Sequence, residues 1–110
     1  MLASKDVFSA FGDHDVARFR ILYWHEIPTV VEANDDEGNR HKEELSLRFQ
    51  ELVDRVAMRR KLAGTDAYLE GWRRSRPKTR EGGAVDVAKT IASELEETFD
   101  EVKKKSTSDQ

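Results

Sequence analysis

The segment from Leu45 to Arg74, LSLRFQELVDRVAMRRKLAGTDAYLEGWRR, constrains the fold more than any other. Phe49, Leu52, Val53, Val56, Ala57 and Arg60 recur at the three-four spacing of one helical face. Ser46 stands where an N-cap is needed, which puts Phe49 at the third helical position. Arg59, Arg60 and Lys61 fall in the last turn, where cations suit the negative end of the helix dipole. Gly64 supplies a C-terminal stop. Thr65 or Asp66 can then cap a second helix carrying Ala67, Tyr68, Leu69 and Trp72. So short a connection makes the two helices neighbours, an αα-hairpin packed on whatever precedes it.

What precedes it has a different period. Phe19, Ile21 and Tyr23 alternate with Arg20, Leu22 and Trp24, the signature of a strand. The second face is also partly apolar, so a central strand covered on both sides is expected. Pro28 interrupts, because it cannot donate to a ladder. Thr29 to Ala33 forms a second strand, and Asn34 to Asn39 a turn with Gly38 available for positive φ. His41 to Leu45 returns as a shorter third strand, antiparallel to the second. Downstream, Pro77 and the Gly82-Gly83 pair mark a linker. Ala88, Ile91, Ala92, Leu95, Phe99 and Val102 then line one stripe of a further helix, whose other face carries Glu94, Glu97 and Glu101.

The expected fold class is therefore α+β: a small antiparallel sheet of two or three strands covered by a helical hairpin, plus a C-terminal amphipathic helix. The 110 residues suffice for one domain with tails. The divisions expected are a leader over 1–17 that can form a short helix on Val7, Phe8 and Phe11, a core over 18–75, a linker over 76–83, the C-terminal helix over 84–105 and a frayed tail over 106–110. That last helix can dock on its own core, on another protein, or on a second copy as a homodimer.

The chain has no cysteine, which excludes disulfides, thiol catalysis and cysteine-ligated zinc. No apolar run resembles a signal peptide or approaches the length of a membrane span. A cytoplasmic protein without membrane attachment is expected. The net charge of -3 conceals segregation, because nine cations lie between Arg55 and Arg80 against only Asp66 and Glu70.

That density makes an anion- or partner-binding surface the first candidate, with Arg59, Arg60, Arg73, Arg74 and Arg76 at its centre and Lys61, Lys78 and Arg80 beside them. Guanidinium groups take carboxylate and phosphate through paired hydrogen bonds. The competing reading is that the acidic last helix neutralises these arginines within the molecule. Tyr23, Trp24, Tyr68 and Trp72 form an aromatic set that can serve an interface or the core. His14, His25 and His41 have no metal-ligand spacing, and Asp35-Asp36-Glu37 lacks the alternation of a calcium loop. Ser46 and Ser75 have no nucleophile context. No catalytic constellation is visible. Nucleic acid is disfavoured by the acidic balance and by the lack of aromatics interleaved with the cations.

The order Tyr23-Trp24, Ile27-Pro28, Val30, Ala33, Arg48-Phe49-Gln50, Asp54-Arg55, Ala57-Met58, Asp66-Ala67-Tyr68-Leu69 and Trp72-Arg73-Arg74 resembles a family of small bacterial proteins known only as "virulence factor". The likeness runs from Ile21 to Arg74. It leaves the leader before Ala17 and the helix after Gly83 outside. It implies an accessory protein, in some members beside folate- or corrinoid-dependent one-carbon enzymes, and it assigns no catalytic residue. No cofactor is identified in the chain itself; folate or corrinoid enters only through a partner enzyme. The function expected is a non-enzymatic module that binds an acidic protein partner through its arginines. A small subunit holding an anionic cofactor tail, and a weak nucleic-acid binder, are the alternatives.

Overall fold

A computed structural model of the chain describes residues 16–108. The short helix expected in the leader lies outside the described residues; of the leader only Val16 and Ala17 fall within them, and both belong to the first strand. The strands are β1 (Val16–Trp24), β2 (Ile27–Asp35), β3 (Arg40–Glu44), β4 (Trp72–Arg74) and β5 (Lys78–Glu81). The helices are α1 (Leu47–Arg59), α2 (Asp66–Glu70), α3 (Ala84–Glu96) and α4 (Phe99–Ser108). The protein is α+β, with an antiparallel sheet of five strands where two or three were expected.

β1 is central. β2 and then β3 lie on one side of it, while β4 and β5 pair with successive halves of its other edge. Half of the expected linker is thus an edge strand: Lys78 to Glu81 pairs with Phe19 to Val16. Between β4 and β5, Ser75 carries the ladder alone. Its amide donates to the Ile21 carbonyl and its Oγ accepts from the Ile21 amide, both at 2.9 Å. Pro77, lacking an N–H, is accommodated where pairing is interrupted.

Pro28 does not end a strand either. The β1–β2 register slips there, with Leu22 opposite Val30 but Tyr23 opposite Pro28, so Thr29 is the extra residue of a bulge. The Thr29 hydroxyl donates to the Leu22 carbonyl at 3.0 Å, tying the bulge to β1. β1 and β2 are joined by His25 and Glu26 alone, with His25 at φ 53.

Ala17, Phe19, Ile21, Val31 and Ala33 are buried on one face, and α3 lies across it, contacting β1, β2 and β3. Ala84, Val87, Ala88, Ile91 and Ala92 are the buried side of α3. The apolar stripe of the C-terminal helix is therefore taken up by the chain's own core. That stripe breaks at Glu97 and Thr98 into two helices, and Phe99 and Val102 of α4 continue it against the core. The phenyl rings of Phe49 and Phe99 meet edge to face, 5.0 Å apart, which seats α1 on α4. Along α1 the buried residues are Phe49, Leu52, Val53, Val56 and Ala57, the stripe expected.

Both ends of α1 differ in detail from expectation. Ser46 is the N-cap, but its hydroxyl donates to Glu96 Oε1 at 2.9 Å instead of capping a helix amide. The Ser46 amide donates to Glu96 Oε2 and Arg48 to Oε1, so a carboxylate from α3 sits at the positive end of α1. Burial acts to raise the Glu96 pKa, but the Ser46 and Arg48 hydrogen bonds outweigh it and hold the carboxyl below its ordinary value. At the other end Lys61, with φ 60, takes the left-handed position that closes the helix, and Gly64, also left-handed at φ 78, lies in the turn beyond it. The Leu62 amide donates to Ala57 and the Lys61 amide to Met58, the two bonds of a Schellman motif.

Thr65 caps α2, accepting from the Tyr68 amide, but this helix is five residues long and buries none of them. Trp72, expected on it, opens β4 instead. Gly71 explains the change of direction. A Cβ there would stand 2.7 Å from Trp24 Nε1 and 2.8 Å from the His25 ring, so only glycine lets the chain pass.

Candidate functional site: the uncovered sheet face

Helix α3 covers one side of the sheet. On the other side, over the end nearest Val16, no described element lies, and strand register puts its side chains in ranks. Thr79, Arg18, Asn34 and Arg40 form the first rank, all exposed. Arg20, Glu32 and Lys42 form the second. Arg74, Leu22, Val30 and Glu44 form the third. Successive ranks are separated by about 6.6 Å, twice the strand rise. β1 is central as expected, but this half of its second face is open.

Five cations, Arg18, Arg20, Arg40, Lys42 and Arg74, share the three ranks with two carboxylates, Glu32 and Glu44, and Arg74, Lys42 and Arg20 act on Glu32. Arg74 holds it in a fork, Nε to Oε1 at 2.9 Å and Nη2 to Oε2 at 3.3 Å. Lys42 Nζ lies 3.9 Å from Oε2. The Arg74 hydrogen bonds, partly opposed by burial and helped by the charges of Arg74, Lys42 and Arg20, hold the Glu32 pKa below its ordinary value. Two carboxylates cannot neutralise five cations, so the face keeps a positive excess. Arg18, Phe19, Arg20, Asn34, Arg40 and Lys42, with Pro77 at the rim, line a groove of about 320 Å³ there.

The third rank leads into different ground. Leu22, Val30, Leu45, Leu47 and Trp72 line a second groove of about 360 Å³, joined by Thr29, Ser46, Gln50 and Glu44. Leu47, the first residue of α1, is 68% exposed. A cationic groove and a partly apolar one thus share a sheet face, related by the run of β1 from Arg18 to Leu22.

The cations expected to act together are dispersed. Strand register puts Arg74 on this face. Arg80, opposite Ala17, points to the α3 side and pairs with Glu94 at 2.7 Å. Arg60 lies at the far end of α1, 3.1 Å from Glu26 and 3.2 Å from the Ser106 carbonyl. Burial acts to raise the Glu26 pKa, but the Glu26 amide, Ser106 and Arg60 outweigh it and hold it low. Arg73 stacks on Tyr23, 4.6 Å from the ring centre, and Arg59 and Arg76 are exposed. The acidic helix neutralises Arg80, as the competing reading had it, but leaves the open face untouched.

The aromatic set does assemble. Trp24 is fully buried, its Nε1 donating to the Tyr68 carbonyl at 2.9 Å. Tyr68 lies between Trp24 and Trp72, with ring centres 5.7 and 6.2 Å away. Trp24 is thus core and cannot stack on a ligand, whereas Trp72 is half-buried at the apolar groove.

Arg18, Arg20, Arg40 and Lys42 were missed by sequence reasoning that followed local density. Their signal is periodic: cations at alternate positions on two strands that β2 separates. Among the described residues, no group of three or more His, Asp or Glu side chains is placed to hold a metal ion. No described helix is long and apolar enough to cross a membrane.

Fold and surface together define a small α+β domain with a helix-backed sheet and a positively charged open face. The chain belongs to the Virulence factor family, whose family model matches residues 22–106. The match runs well past Arg74 and takes in α3 and most of α4, so the C-terminal helices are part of what the family shares rather than an addition to it. No curated protein and no solved structure matches the chain.

Proposed function

We propose that the chain is a non-enzymatic accessory module of the bacterial cytosol that binds an acidic protein partner. The arginines that do so are those of the open sheet face, Arg18, Arg20, Arg40 and Arg74, with Lys42. One observation carries this reading: five cations stand against two carboxylates, Glu32 and Glu44, on a sheet face that no described element covers at the end nearest Val16. Charge complementarity of this kind steers encounter and selects partners by sign. A single-stranded nucleic acid would need bases to stack on the face, and its first two ranks hold no aromatic residue.

The test is affinity capture with the tagged full chain from its source cells, against an Arg18→Glu/Arg20→Glu variant of unchanged circular dichroism. One stoichiometric protein, retained by the parent and lost by the variant, supports the proposal. A partner retained equally by both, or nuclease-sensitive material alone, overturns it.

A further inference from the structure

We infer that the two grooves of the open face form one bipartite site, built for a protein segment that carries carboxylates at one end and an apolar anchor at the other. This deepens the proposed function and rests on it.

The apolar half is part of the argument because it lies in register with the charged half. Arg18, Arg20 and Leu22 point from the same face of one strand, and Asn34, Glu32 and Val30 stand directly opposite them on β2. From Arg18 to Leu22 is about 13 Å at about 3.3 Å per residue. Beyond Leu22 and Val30 the surface falls into the groove walled by Leu45, Leu47 and Trp72. Tryptophan and leucine around a concavity offer an anchor pocket, and the neighbouring guanidinium groups fix direction by taking carboxylates in paired contacts.

Charge complementarity decides the occupant. A second copy of this face would set cations against cations, which excludes a face-to-face dimer. A compact anion would use the first two ranks and leave the Trp72 groove unfilled. An acidic segment with an apolar residue about 13 Å from its carboxylates fills both, a separation of about four residues in an extended chain or about nine in a helix. Glu32 fits the same scheme. Its carboxylate already sits in the Arg74 fork, so it marks the geometry that an incoming carboxylate meets beside Arg20 and Lys42.

The experiment is selection of a random peptide display library on the immobilised full chain. An Arg18→Glu/Arg20→Glu variant and a Leu47→Glu variant are run in parallel. All three positions are exposed, and circular dichroism checks that each variant keeps the parent's fold. The expected result is enrichment of peptides with paired acidic residues and one large apolar residue at a fixed separation. The double variant should lose the acidic preference, Leu47→Glu the apolar one, and a resynthesised peptide should bind either variant at least about tenfold more weakly. Acidic peptides without an apolar residue at fixed separation would overturn the bipartite site and leave the proposed function standing. Enrichment with no acidic preference, or none at all, would overturn both. So would retention of single-stranded RNA that the double variant abolishes. A concentration-dependent dimer in sedimentation, broken by the double variant, would assign the face to a second copy and likewise overturn the inference.

Discussion

Lys61, Gly71 and Glu32 each carry more of the structure than their residue types suggest. Lys61 holds a left-handed backbone at φ 60 to close α1, a conformation that disfavours any side chain with a Cβ. Lys61→Gly keeps both Schellman bonds and should raise stability by roughly 1 kcal/mol, read as a higher urea midpoint at unchanged slope. Gly71 is the opposite case, because its φ of -76 suits any residue and only space requires glycine there. Gly71→Ala drives a methyl into Trp24 and His25 and should lower stability by about 1–3 kcal/mol in the same measurement. Glu32 titrates below its ordinary value because Arg74 holds its charged form. A depressed carboxylate pKa stabilises the folded state fully above the unfolded value of 4.5, and that stabilisation is lost as pH falls through the lower folded value. Thermal melts from neutral to acid pH should therefore show a weaker acid loss in Glu32→Gln than in the parent. The same substitution frees Arg74, so binding of an acidic peptide should tighten.

Among the elements, those with an apolar period were legible and those without were not. The stripe of α1 and the alternation of β1 up to Ile21 stand in the sequence because each must bury one face against the core. β4 and β5 bury almost nothing: WRR and KTRE are half-buried at best, and they are held by backbone bonds to β1 rather than by packing. Such edges leave no hydrophobic pattern, and Pro77 argues against a strand unless the Ser75 side chain is known to take over one rung. Ser75→Ala should therefore leave the buried Ile21 amide unpaired and lower stability by about 1–2 kcal/mol. Amide exchange should quicken first at Ile21 and along β5. The division of the last stripe into α3 and α4 was also hidden, since the residues on either side of Thr98 keep nearly the same period. For the open face the obstacle was topology. Arg18 and Arg20 meet Arg40 and Lys42 only because β2 lies between β1 and β3, and that order is fixed by hairpin pairing, not by proximity along the chain.

At the scale of the molecule, one side of the sheet is insulated by α3 and the other carries charge. Reversing that charge should change association and leave folding nearly unaltered. The Arg18→Glu/Arg20→Glu chain is expected to melt close to the parent while losing its acidic partner, a separation read by calorimetry beside the capture experiment. Both side chains are exposed, where charges contribute little to stability, so reversing them is a clean probe of recognition. The placement of β1 has a further consequence, for synthesis. This strand is made early, yet the partners of one whole edge lie at residues 72–81, and its helix cover begins only at Ala84. While the ribosome is still working through that stretch, the hairpin of β1 and β2 waits with open backbone groups along one side. The sheet can close only when the second half of the chain has emerged, so a ribosome stalled before Lys78 would display a sticky half-sheet, and chaperone capture of nascent chains should peak there.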